Sequence, residues 1–267
     1  MDVDSLGMLR RRIALIERRE GAGPEGAVRR PTGHPAIDRR LEGGLSPGAL
    51  HEVIAAEAEE GGSAAGFTGM LTLLLGGEVL WLRDEASHRR IGGLHAMGLV
   101  EIGLDPARII LGMVGDAAAT LRAAADAMRC TGLGVVVIEL WGRPPVLDLT
   151  ASRRLALAAE GSGVSALLLR MAADPGPSSA QTRWQVAAAP SAPLPANAPG
   201  HPGWTVELLR QRGGPPGGPW QVEWNRDRAQ LQDRGADRRQ ALSGAVVPLP
   251  ADRSPDPAGH GPLRRAG

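Results

Sequence analysis

Gly134–Leu140, GVVVIEL, is the stretch on which the fold turns. Its aliphatic residues run unbroken as far as Glu139, so an extended chain here must be covered on both faces, as in a parallel sheet. Working outward, the pattern repeats. Downstream lie a helix over residues 148–160 and a second apolar strand, Val164–Arg170 (VSALLLR). Upstream, Thr120–Cys130 is rich in Ala and Leu and reads as a helix, preceded by the short strand Arg108–Leu111. Residues 86–98 suit another helix, after the strand Glu78–Leu82 (EVLWL). The first strand is Leu50–Ala55, followed by a Gly-rich loop over residues 60–66 and a helix over 67–75. Strands alternating with helices at this spacing predict βαβ units: an α/β fold with a mostly parallel central sheet flanked by helices.

Beyond residue 174 the period changes. Thr182–Ala187, Trp204–Gln211 and Trp220–Asn225 alternate apolar and polar residues, predicting antiparallel C-terminal edge strands separated by Pro/Gly loops at 188–203 and 212–219. Residues 229–267 hold little core-forming material and are expected to be a disordered tail, with Leu242–Val247 its one apolar patch. At the other end, Leu6, Leu9, Ile13 and Ile16 recur three to four apart within residues 1–22, the stripe of an amphipathic helix. That stripe must bury itself on its own domain or on a partner. Residues 23–34 read as a linker, leaving the domain proper at 35–228.

Composition narrows the function classes. The 267 residues carry a net charge of +1, so no global field draws the chain to nucleic acid or membrane. All 30 cationic residues are arginine, a bias that weakens the meaning of any one missing lysine. The single cysteine, Cys130, excludes an internal disulfide and is expected to be a small core residue. The six histidines lack paired metal spacing, so no metal site is expected. Neither a signal peptide nor a membrane span is legible, and the expected location is cytoplasmic.

The candidate site is Gly61-Gly62-Ser63-Ala64-Ala65-Gly66-Phe67-Thr68. Against the phosphate-loop pattern G-x-x-x-x-G-K-[ST], Gly61, Gly66 and Thr68 fit and Phe67 stands where the lysine belongs. In a working loop, backbone N–H groups cradle the phosphates, the lysine neutralises them and the hydroxyl holds Mg²⁺. A phenyl ring can do none of the lysine's work, and Glu57, Glu59 and Glu60 add negative charge just upstream. Glu139 stands near where a Mg²⁺-binding Asp often ends its strand, and Glu85 follows the second strand, where a water-activating carboxylate can sit. Each also has a plain reading as a polar residue at the sheet's carboxyl edge. Together they look like vestiges: no catalytic residue is assigned, and bound ATP or Mg²⁺ is not expected. Trp184, Trp204, Trp220 and Trp224, interleaved with Arg183, Arg210 and Arg212, are expected to be packing residues; stacking on single-stranded nucleic acid is the alternative.

The element order resembles that of RecA, with Ile37-Asp38 and Gly43-Gly44-Leu45 leading into the strand before the loop. LRRRIALIE (9–17), HEV (51–53), LGGEVLWL (75–82), TRW (182–184), VELLRQRGG (206–214) and WQVEWN (220–225) look more closely like the ImuA family. The resemblance spans roughly residues 5–228. It implies a RecA-like P-loop NTPase fold with a degenerate phosphate loop, in an accessory protein of SOS-induced translesion mutagenesis. The partners it implies are an ImuB-like Y-family polymerase homologue, an error-prone DNA polymerase III alpha-type subunit reached indirectly, and RecA, with DNA contact left open. The helix carrying Leu6, Leu9, Ile13 and Ile16 becomes the candidate docking element. A divergent DNA-stimulated ATPase, with Arg83 or a partner's arginine replacing the lysine, is the rival reading; a RecA-like cell-division inhibitor is another.

Overall fold

Hydrophobic demand on two faces of one sheet organises the chain. In the computed structural model, which describes residues 28–194, 196 and 198–235, nine strands form a single sheet in the order β3-β2-β4-β5-β1-β6-β7-β8-β9. These are β1 (Leu50–Ala55), β2 (Glu78–Asp84), β3 (Ile109–Val114), β4 (Leu133–Trp141), β5 (Ser165–Met171), β6 (Thr182–Ala188), β7 (Gly203–Gln211), β8 (Gly217–Asn225) and β9 (Gln230–Asp233). Every pairing from β3 through to β6 is parallel, and β6 to β9 pair antiparallel. The stretch quoted first is the middle of β4, wholly buried from Val135 to Leu140.

Helices cover both faces, each with its own apolar layer. On one side α2 (Gly61–Leu75) sets Ala64, Phe67, Met70 and Leu71 against Val53, Val137, Leu167 and Trp184. The short helices α1 (Pro35–Arg40), α3 (Glu85–Ile91) and α4 (Ala96–Glu101) lie on this side as well, adding Ile37, Ile91 and Leu99 to that layer. On the other side α5 (Ala117–Ala127) and α6 (Leu149–Ser162) bury Ala124, Leu155, Ala156 and Ala159 against Val136, Ile138 and Leu168. Aspartates cap three of these helices: Asp84, Asp116 and Asp148 each accept a hydrogen bond from a first-turn amide.

Four sequence expectations need correction. The helix expected over 86–98 is two helices, α3 and α4, because Gly92 takes a positive φ of 74° and ends the first. The tail does not begin at 229: Gln230–Asp233 add a strand to β8, and Leu231, almost fully buried, joins the core. Nor is the segment before residue 35 merely a linker. Arg30 bridges Leu45, Thr32 O accepts from Leu231 N at 2.7 Å, and His34 Nε2 lies 3.1 Å from Asp233. Gly44, at φ 126°, must lack a Cβ here, since one would fall 2.2 Å from Arg30 O. The two ends of the domain are therefore clasped together. Finally, Cys130 is exposed just past the end of α5 and is not a core residue. The helix carrying Leu6, Leu9, Ile13 and Ile16, and the patch Leu242–Val247, lie outside the described residues.

Among the described residues no helix is long and apolar enough to cross a membrane.

Candidate functional site

The Gly-rich stretch after β1 is helical, not a loop. A 3₁₀ turn, Ala58–Glu60, runs directly into α2, which begins at Gly61; the Gly61 N–H is already spent on Ala58 O. At 1.5 Å of rise per residue, starting at Gly61 rather than Phe67 moves the helix N-terminus by roughly 9 Å. Composition argued against this, since glycine lowers helix stability by about 1 kcal/mol relative to alanine. Packing overrides it, because Ala64, Phe67, Met70 and Leu71 bury one continuous face.

Each residue of the pattern is thereby committed elsewhere. Phe67 is 1% exposed and sits between two tryptophans, with ring centroids 6.1 Å from Trp184 and 5.6 Å, edge-on, from Trp204. Thr68 is fully buried, and its hydroxyl donates to Ala64 O at 2.8 Å within the helix. Gly66 faces the Trp204 ring, and Gly61 lies over Met171 and Ile91. The helix N-terminus is fronted by Glu57, Glu59 and Glu60, and no side chain caps it. A backbone cradle for phosphates is not formed by residues 61–68, which are helical throughout, and of the three preceding acidic residues Glu60 accepts a hydrogen bond from Ala188 N on β6.

The acidic positions are also accounted for. Glu139 is interior to β4 and fully buried, accepting from Trp81 Nε1 at 2.7 Å and from Arg83 Nε at 2.9 Å. Arg83 Nη2 also lies 2.7 Å from Glu139 Oε1, so two guanidinium N–H groups converge on that one oxygen while Trp81 holds the other. Burial pushes the Glu139 carboxyl above the ordinary glutamate range, and the Arg83 guanidinium and Trp81 N–H pull it back. Arg83 and Glu139 are register partners on adjacent strands, which is why they meet. Glu85 points away: it opens α3, is 57% exposed and pairs with Arg89 at 3.2 Å. The structure brings Arg83 and Glu139 together and leaves Glu85 apart from both.

Between the first turns of α2, the end of β2, α3 and α4 is a cleft of about 250 Å³, lined by Gly62, Ala65, Arg83, Ile91, Leu94 and Ile102 among others. Arg83 Nη1 is buried at its wall without a hydrogen-bond partner. The cleft is smaller than the roughly 300–1,000 Å³ of sites for drug-sized ligands, and largely apolar. A Mg²⁺–triphosphate would need amide donors, a free hydroxyl and a free carboxylate; the residues present do not fit that group.

The tryptophans expected to be packing residues are so. Trp184, Trp204 and Trp224 are buried, Trp224 donating to Ile102 O at 2.7 Å, and Trp220 packs partly buried against the same core. One charged cluster escaped sequence reading. Glu52 on β1 is 1% exposed and holds Arg183 Nε of β6 at 2.7 Å and Arg170 Nη1 of β5 at 3.0 Å. A signal did exist for two of them: Glu52 and Arg170 are charges inside largely apolar strands, and a charge so placed needs a partner, whereas Arg183 sits in an alternating strand that gives no such mark.

Comparison with known proteins agrees with this architecture. No protein-family model matches the chain. The crystal structure of the RadB recombinase superposes with a TM-score of 0.50 at 18% identity, covering 76% of this chain and 99% of that one, so the RecA-like fold is shared. Protein ImuA of Caulobacter vibrioides, from two strains, is 38% identical over 217 residues, covering 73% of this chain and 85% of the relative. At that identity and coverage, the chain is a member of the ImuA family.

Proposed function

We propose that this protein is a non-catalytic, RecA-like adaptor in bacterial damage-induced mutagenesis, assembling the translesion machinery rather than hydrolysing nucleotide. The observation that carries the reading is the fate of the phosphate-loop segment. It is continuous helix from Gly61, with Phe67 in the aromatic core and the Thr68 hydroxyl bonded within the helix. Family membership supplies the pathway, and the site supplies the argument against ATP. The partner we assign is an ImuB-like Y-family polymerase homologue, through which an error-prone DNA polymerase III alpha-type subunit is reached; RecA is a further candidate partner.

The test has two arms. Calorimetry with Mg-ATP should show no saturable binding, and the full chain should co-purify with the ImuB-like protein. Tight binding with turnover would replace the adaptor by the divergent ATPase. Retention of the polymerase homologue by a chain lacking residues 1–20 would move the contact from the N-terminal segment onto the folded domain.

A further inference from the structure

On the α6 side of the sheet a groove of about 720 Å³ opens between that helix and the connection joining β5 to β6. Leu149, Arg153, Leu157 and Glu160 are spaced along one helical face and form one wall. Leu149 and Leu157 are 52% and 55% exposed. Pro177, Ser178 and Ser179 face them, with Arg210 and Arg212 from the end of β7 and just beyond. The wall is fastened: Ser179 N donates to Ser152 Oγ at 3.1 Å, and Arg210 Nη1 donates to Ser178 O. Arg212 lies 3.6 Å from Glu160, so three guanidinium groups share the groove with one carboxylate.

The layer beneath has the same sign. Arg210 is directly opposite Arg183 in the β6–β7 ladder, so both project from the same face, and like charges so placed are destabilising. Arg183 shares the single carboxylate of Glu52 with Arg170, and Arg183 Nη2 and Arg170 Nε are buried without partners. An uncompensated buried charge behind a groove, with little water to screen it, raises the local concentration of anions.

We infer that this groove is a docking surface for an acidic segment of another protein, which seats apolar side chains on Leu149 and Leu157 and brings carboxylates to Arg153 and Arg210. Neither of the chain's own outlying segments is acidic overall: residues 1–27 balance five arginines against two aspartates and three glutamates, and residues 236–267 hold five arginines against three aspartates. Single-stranded nucleic acid is less suited, because the lining holds no aromatic ring on which a base could stack. The inference goes beyond the adaptor reading and does not rest on it, since none of these residues belongs to the α2 site.

Fluorescence anisotropy with the full chain tests it. The probe is a fluorescein-labelled peptide of Asp-Leu-Glu-Glu-Leu repeats, compared with its Asn/Gln counterpart and with labelled oligothymidylate. The acidic peptide should bind, weaken with added salt, and exceed the amide peptide by about tenfold or more. Arg153→Glu and Leu157→Ser, both at exposed positions and checked by thermal melting, should each weaken it by about tenfold. Equal binding of acidic and amide peptides, or indifference to both substitutions, overturns the proposal. So does tighter binding of oligothymidylate that Arg153→Glu abolishes, which would make the groove a nucleic-acid surface. A dimer in sedimentation that Arg153→Glu dissolves would give the groove to a second copy of the chain and equally overturn it.

Discussion

Restoring the missing lysine should damage this protein rather than revive it. Phe67 is almost wholly buried, wedged between Trp184 and Trp204. Phe67→Leu removes two aromatic contacts worth about 0.5–1.5 kcal/mol each, so a loss of about 1–3 kcal/mol is expected. Phe67→Ala leaves a cavity as well and should cost about 3–5 kcal/mol. Phe67→Lys loses the same packing and must also discharge its ammonium: bringing a group of pKa about 10.4 to neutral form at pH 7 adds roughly 4–5 kcal/mol. The total, about 7–10 kcal/mol, rivals the whole stability of an ordinary domain, about 5–15 kcal/mol. Urea denaturation followed by tryptophan fluorescence suits the series, because the rings that Phe67 touches report directly. A Phe67→Lys protein that melts within about 1 kcal/mol of the parent and binds Mg-ATP would refute the reasoning, since that outcome needs the side chain to face a ligand.

Other outcomes follow from the same geometry. Arg83→Met strands Glu139 in the core and should cost about 3–5 kcal/mol, most of it recovered in Arg83→Met/Glu139→Gln; a double-mutant cycle in urea that shows no coupling would count against the buried pair. Gly66→Ala should stabilise by about 0.5–1 kcal/mol, because its Cβ meets only Trp204 at an ordinary 3.6 Å and the residue is helical; a marked loss would mean that residues 61–66 need a looped backbone. His51 is fully buried, with Nδ1 2.7 Å from the Thr182 hydroxyl and Nε2 2.9 Å from Ser46 O, and burial lowers its pKa from 6.5 to about 4. The folded state thus resists a proton that the unfolded state accepts. Its contribution is full above pH 6.5 and is lost progressively down to about pH 4, by about 3 kcal/mol in all. Stability curves of the parent and of His51→Gln should converge across that window; parallel curves would remove His51 as the cause.

The sheet was readable because its evidence is local. GVVVIEL, VSALLLR and EVLWL each declare a buried strand, and the residues between them declare helices. What could not be read depends on pairs distant in sequence. Nothing near Gly61 announces that Trp184 and Trp204 will receive Phe67, and without them the Gly/Ser/Ala composition reads as a loop. Arg83 and Glu139 are both visible as charges at strand ends, yet only the register of β2 against β4 makes them partners. Likewise Glu52, Arg170 and Arg183 come from three strands separated by more than a hundred residues at the extremes. The strand at 230–233 was missed because four residues of mixed polarity carry no period of their own; β8 and Thr32 supply the pairing.

Because Thr32 meets Leu231 and His34 meets Asp233, the domain begins and finishes at one corner. A short peptide could join those points, and the gene could be reopened at an exposed turn elsewhere without taking a strand out of the sheet. Any cargo fused to residue 28 would leave the body beside cargo fused to residue 235, so two attachments at opposite ends of the gene would emerge as near neighbours.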